Sequence, residues 1–459
     1  MAQGSFTDFD KIRPGAYVRF MATRTDADML GANGIVATVL PLAWGDDIVR
    51  LTADDVRGGR TLELTGYAMG APELVSVQKA LENAREVVIV RGDAGSTKAT
   101  ATVIVQWVDG EAVGAVLTAT AKYGGVLGNG ITVTIESFGD SFVVITALNG
   151  TEVARSVGST AEEIEDNMYV DFTGTGELSE QVATALEGGS NGTVGGWSED
   201  IEEVIGGLNY DVVVMTDPSK LVDFEKFLKR EHDAGRYRTG VAVGTYSSDS
   251  DDGNFEGLVK IDEAQYPALA RYPNGTEHSL TAGEVAHWVA GLYAGTSINR
   301  GNTYAVVPHV VELKKAYNDE ETVARLNKGF FLLTYRRDGA VVVEQDINSL
   351  HIFSSMRTRA YSKNRTMRTL VYIQEYIVDL FETGYIGKVN ANEHGRSALS
   401  GDIVAFMMRL SDEGAIRNFN ISEDISIRMG AEPDTIIVDL FVQPMDSLEK
   451  LYLTINTRV

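Results

Sequence analysis

The stretch DTIIVDLFVQPMDSLEKLYLTINTRV, residues 434–459, holds two strand-like runs separated by Met445, Asp446 and Ser447. In the second run Leu451, Leu453 and Ile455 alternate with Tyr452, Thr454, Asn456 and Arg458. A period of two puts the first set on one face and the second set on the other, so this run needs a sheet to lie on. Such a strand either joins its own domain or leaves as an arm that completes a neighbour's sheet. In the second case main-chain hydrogen bonds supply affinity and alternating side chains set the register. The pattern by itself leaves both outcomes open.

At 459 residues the chain has room for about three domains. Its 44% apolar and 23% charged content is ordinary for globular protein and argues against wholesale disorder. There is no cysteine, which excludes disulfide frameworks, Cys-based zinc sites and thiol catalysis. A formal charge of -25 argues against nucleic acid and anionic membranes as partners, since both demand clustered Lys and Arg. No apolar run approaches the roughly 18 residues that span a bilayer, so no membrane insertion is expected. Residues 1–20 lack the charged start, apolar core and cleavage site of a signal peptide. The expectation is synthesis in the cytoplasm and release by lysis or another route that needs no signal.

The texture changes along the chain. Residues 16–22 read as a strand after the Arg13-Pro14-Gly15 turn, so the start of the chain, like its end, has strand character. Residues 34–51 are strand-like, interrupted by Pro41 and the Trp44-Gly45-Asp46 turn; 72–84 predict a helix and 87–91 a buried strand. Between about 92 and 196, Thr, Val and Gly alternate with few helical signals, as in an all-β sandwich. Strand 210–215, helix 221–234 and strand 240–246 then follow at the spacing of a parallel crossover. Thr281 and Glu284 form a capping box for a helix to about 294, whose Ala and Gly content permits close packing. Residues 329–335 and 340–347 predict strands, 363–383 and 397–412 helices, and 424–429 a strand.

Signals for chemistry are weak. The glycine-rich residues 124–130 lack the following Lys-Ser/Thr of a phosphate loop and lie between strands, so a turn is the better account. Asp249, Asp251 and Asp252 faintly resemble a calcium loop, but position twelve would be Lys260 where a Glu is required. The six histidines are scattered, with no HExxH pair and no GxSxG elbow, and Arg91-Gly92-Asp93 receives no role. No cofactor, metal or catalytic residue is expected. One charge cluster stands out: Arg357, Arg359, Lys363, Arg365 and Arg368, with no acidic residue between Asp346 and Glu375. It is either a solvated helix start, where cations oppose the macrodipole, or a contact for an acidic partner.

Several segments closely resemble the contractile-tail sheath proteins of myophages and phage-tail-like bacteriocins. They are VVVEQDINSLHIF (341–353), YSKNRTMRTL (361–370), TGYIGKVNANEHGRSAL (383–399) and VQPMDSLEKLYLTI (442–455). KIRPGAYVRF (11–20) and LTATAKYGGVLGNGITV (117–133) add to them, the latter with glycines where the family carries Pro and Asp. The resemblance implies a structural polymer, not an enzyme. Its subunits would stack as six-membered rings around an inner tube protein, meet baseplate and tail terminator proteins at the ends, and contract to drive the tube through a target envelope.

The implied architecture is an α/β (α+β) multidomain protein. Its parts would be an N-terminal linker arm (1–22), an α/β segment (23–95), a β-sandwich (96–195), a middle α/β domain (196–348), a C-terminal assembly domain (349–445) and a C-terminal linker arm (446–459). The N-terminal arm would act through Phe6, Phe9, Tyr17, Val18 and Phe20, and the C-terminal arm through Leu451, Tyr452, Leu453, Thr454 and Ile455. A neighbour's sheet, built on Ile425, Ile427, Ile436, Val438 and Leu440, would accept them, with residues 445–447 as the hinge. The basic cluster would face an acidic tube. A non-contractile shell or surface protein using the same strand exchange is the first alternative, and a nucleotide-binding α/β enzyme the second.

Overall fold

The computed structural model describes residues 2–4, 15–17, 34–68, 70–108, 111–194, 196–355 and 357–457. At its centre is a seven-stranded sheet in the order Phe330–Phe331, Leu258–Asp262, Thr239–Gly244, Val212–Met215, Ile35–Leu40, Glu86–Arg91 and Ile48–Thr52. Every pairing is parallel except the last, which turns the Ile48–Thr52 edge antiparallel. Helices cover both faces, so the inner strands are largely buried and mostly apolar, with Thr38, Lys260 and Asp262 among the buried polar exceptions. On one face Val77, Ala80, Trp288 and Val289 pack against Val36, Ile89 and Val214; on the other Phe224, Phe227 and Leu228 pack against Val88, Val213 and Ala242.

The α/β segment near residue 35 and the middle region therefore share one sheet, although they read as separate along the chain. The helix Ala282–Gly295 starts at a capping box in which Thr281 Oγ1 accepts from the Glu284 amide and Glu284 accepts from the Thr281 amide. It packs as closely on helix Val75–Leu81 as its composition predicts: a Cβ on Gly291 would lie 2.2 Å from the Ala80 carbonyl oxygen. His287 is fully buried between Thr38 Oγ1 at 2.7 Å and the Gly283 carbonyl at 2.7 Å. Burial pushes its pKa down to about 4, so it is a neutral core residue.

Between Arg91 and Trp197 lies the expected sandwich. Thr151–Gly158, Ser141–Leu148, Ile131–Phe138 and Gln181–Ala185 form one sheet, and Val170–Gly174, Glu111–Gly124 and Lys98–Val108 the other. Trp44, read from the sequence as part of a turn, is buried in the sandwich core, its ring 5.2 Å from that of Tyr123 in an edge-on contact. Arg91 braces the same joint by donating to the carbonyls of Gly45, Leu42 and Gly124. The glycine-rich stretch also belongs here: Gly125 has φ +135, and a Cβ on it would lie 1.9 Å from the Ala43 carbonyl oxygen. We expect Gly125→Ala to cost about 3 kcal/mol in urea unfolding, from strain plus displaced backbone. Gly139→Ala, also at positive φ but with nothing within 4 Å, should cost about 1–2 kcal/mol. Equal losses would mean that the joint contact adds nothing.

The last third pairs two long helices, Asn364–Gly384 and Glu393–Asp412, over a core of Ile373, Leu399, Ile403, Phe406, Met407 and Leu410. Tyr376 stacks on Phe406 with ring centroids 3.7 Å apart. The acidic loop that faintly resembles a calcium loop is tied down by cations: Asp251 accepts from Lys328 at 2.8 Å and the Asp252 carbonyl from Lys260 at 2.7 Å. Among the described residues no cluster of His, Asp and Glu is arranged to hold a metal, and no helix is long and apolar enough to cross a membrane.

Candidate assembly interface

Ile425–Met429 and Ile436–Leu440 form an antiparallel pair in the register Ile425 to Leu440, Ile427 to Val438 and Met429 to Ile436. Alternation turns Ile425, Ile427, Ile436, Val438 and Leu440 onto the helical core, while Ser426, Arg428, Ile437 and Asp439 face outward. Among the described residues no third strand joins either edge. A two-stranded sheet is marginal alone, and unpaired edges are templates for further strands.

Beyond this hairpin the chain runs back along its own domain. The Arg417 amide donates to the Gln443 carbonyl and the Met445 amide to the Ala415 carbonyl, both at 2.9 Å. Ser447 Oγ accepts from Arg365 at 2.9 Å. Glu449 then accepts from Thr303 Oγ1 and Gln345 Nε2, each at 2.9 Å, and from Lys363 Nζ. Burial opposes ionisation of Glu449, but the hydrogen bonds from Lys363, Gln345 and Thr303 outweigh it and hold the carboxyl below its ordinary value.

Past Glu449 the large side chains turn to solvent. Residues 451–457 form no strand, and Leu451, Tyr452, Leu453 and Ile455 are between 71% and 90% exposed. Thr454, on the polar side of the alternation, is exposed as well. Residues 445–447, expected as a hinge, are held against the body through the Met445 amide and Ser447 Oγ. Of the N-terminal arm, Phe6, Phe9, Val18 and Phe20 lie outside the described residues. Tyr17 ends the strand Gly15–Tyr17, which pairs in parallel with Ala2–Gly4.

The basic cluster needs correction, because most of it points inward. Arg365 and Arg368 are only 8% and 6% exposed, and Lys363 is held by Glu449. Arg365 donates to the Gly414 carbonyl at 3.2 Å and Arg368 to the Arg300 carbonyl at 2.7 Å. Arg368 also lies 3.5 Å from Asp346 and over the ring of Tyr293. These carbonyls and carboxylates compensate the unfavourable position at a helix start. Arg357, paired with Glu256 at 3.2 Å, and Arg359 remain exposed. Arg359, Lys363 and Glu449 line a cleft of about 430 Å³ with Tyr304, Val323 and Phe353. The roles of Glu449, Gln345 and Thr303 were missed; the available signal was a lone carboxylate beside the alternating run.

Three family models match successive parts of the chain. They are the phage tail sheath protein beta-sandwich domain over residues 94–191, the phage tail sheath protein central domain over 200–349, and the phage tail sheath C-terminal domain over 357–458. The chain belongs to the phage tail sheath protein family. As a sheath protein it is a structural subunit and not an enzyme. It is 29% identical to the phage-like element PBSX protein XkdK of Bacillus subtilis, over an alignment covering 99% of this chain and 100% of that one. Crystal structures of two sheath tail proteins share the fold. The one from Desulfitobacterium hafniense has a TM-score of 0.72 at 28% identity, covering 97% of this sheath protein and 100% of that chain. The one from Listeria innocua has a TM-score of 0.78 at 27% identity, with 94% and 97% covered.

Proposed function

We propose that this sheath subunit polymerises as stacked six-membered rings around an inner tube and contracts to drive that tube through a target cell envelope. The observation that carries the reading is the pairing of an open two-stranded sheet with an exposed run of matching alternation. A neighbour's residues 451–455, laid along one edge, would place Leu451, Leu453 and Ile455 on the face already occupied by Ile427, Val438 and Leu440. Tyr452 and Thr454 would then lie with Ser426 and Asp439. Residues 2–22 of a second neighbour are assigned to the other edge. Such tethers let subunits rotate as rigid bodies while staying linked, which a bistable lattice requires.

In this reading the other partners are the inner tube, baseplate and tail terminator proteins, in a phage tail or phage-tail-like particle released by lysis. Of the basic cluster, Arg357 and Arg359 are left to meet an acidic tube. Electron microscopy of the purified full chain tests the proposal. Helical tubes built of six-membered rings are expected. Closed shells of a single size would instead favour a non-contractile container, and permanent monomers at high concentration would overturn both.

A further inference from the structure

We propose that Thr303, Gln345, Lys363 and Arg365 are positioning residues for assembly, clasping Glu449 and Ser447 so that residues 451–457 leave the subunit in a fixed direction. The inference rests on the reading of those residues as an arm. Its ground is a sharp boundary. Up to Glu449 the backbone and polar side chains are held by hydrogen bonds to four different segments, with Leu448 projecting to solvent, and beyond Glu449 the large side chains of the described residues are all exposed.

The clasp draws on distant parts of the molecule. Thr303 follows the central-region helix Ala282–Gly295, Gln345 lies near the end of the central region, Lys363 lies near the start of the C-terminal region, and Arg365 is in the first turn of the helix Asn364–Gly384. Its charged pair is well shielded, with side chains 16% and 13% exposed for Lys363 and Glu449. Shielding gives the pair more strength than a surface ion pair has.

Geometry explains why a fixed departure matters. Nine residues from 451 to 459 reach up to about 30 Å when extended. A freely pivoting root would spread the apolar face of the arm over a large volume, whereas a clamped root raises its effective concentration at one neighbour. Because the clamp spans both regions, the direction of the arm follows any change in their relative placement.

The test uses the full chain with Glu449→Lys, Lys363→Glu, the double swap, and a deletion of residues 451–459. Polymer formation is followed by sedimentation and subunit stability by urea unfolding. Glu449→Lys should raise the concentration needed for assembly about tenfold while the subunit stays folded. The double swap, which restores opposite charges, should recover most of that loss, and an assembly loss larger than the change in urea stability accounts for is the result that a merely structural role would not give. Should Glu449→Lys fail to fold, Glu449→Gln supplies the measurement, with an expected loss of several-fold. If the deletion abolishes assembly but the folded Glu449 variants assemble normally, the clasp is wrong and the arm stands. If the deletion leaves assembly intact, the arm reading itself fails.

Discussion

Deleting residues 451–459 is expected to abolish polymer formation and leave the urea-unfolding midpoint of the subunit unchanged. Both halves of this expectation follow from exposure. Leu451, Tyr452, Leu453 and Ile455 are largely exposed and belong to none of the buried core clusters, so the core of their own subunit loses little when they are removed. What disappears is the strand addition. Each of its backbone hydrogen bonds contributes about 0.5–1.5 kcal/mol net, and each buried Leu or Ile about 1.5–3 kcal/mol. The loss recurs at every subunit contact, so a modest cost per contact removes the polymer. Leu453→Asp should act in the same direction by setting a carboxylate against Ile427 and Val438, with the backbone pairing still possible. Sedimentation velocity and negative-stain microscopy of full and shortened chains give the readout. A shortened chain that polymerises at the same concentration would remove the arm from the account of assembly.

Much of the fold was legible because its signals are local. The Thr281 and Glu284 capping box, the buried run at 212–215 and the strand texture of 98–185 each declare an element within a few residues, whereas the alternation in 451–455 marks a run that forms no strand within its own subunit. Pairing between distant segments carries no such signal. Ile35–Leu40 lies beside Val212–Met215, and the Ile35 amide donates to Asp211, 176 positions away. Nothing near either strand names the other.

Arg91 shows the same limit. Three letters suggested a chance tripeptide, whereas its guanidinium joins two domains through three carbonyls. The basic cluster was legible as a cluster but not in its direction. Spacing places Arg365 and Arg368 on one face of a helix. It does not say that this face meets Gly414, Arg300 and Asp346 instead of solvent. One clue was present in the sequence, since Asp346, the acidic residue bounding the cluster, is the carboxylate that Arg368 faces.

That contact supports the second large effect. Arg368→Ala is expected to destabilise the subunit by about 3–5 kcal/mol, because removing one member of a buried pair strands the other. The side chains of Arg368 and Asp346 are 5% and 4% exposed. Asp346 also accepts from the Asn302 amide and from Asn364 Nδ2, each at 2.8 Å, so its charge organises the connection between the central and C-terminal regions. Arg368→Met with Asp346→Asn keeps the volume and one acceptor while removing both charges. The double variant should therefore cost much less than the sum of its single changes. Urea unfolding of Arg368→Ala, Arg368→Met, Asp346→Asn and the double variant decides the matter. A loss within about 0.5 kcal/mol for Arg368→Ala would be that of an ordinary surface site. It would mean that solvent compensates Asp346 at this connection and that Arg368 is available to a partner. Charge reversal at Arg365 and Arg368 would then become a test of tube contact, with weaker and more salt-sensitive assembly on tubes as its result.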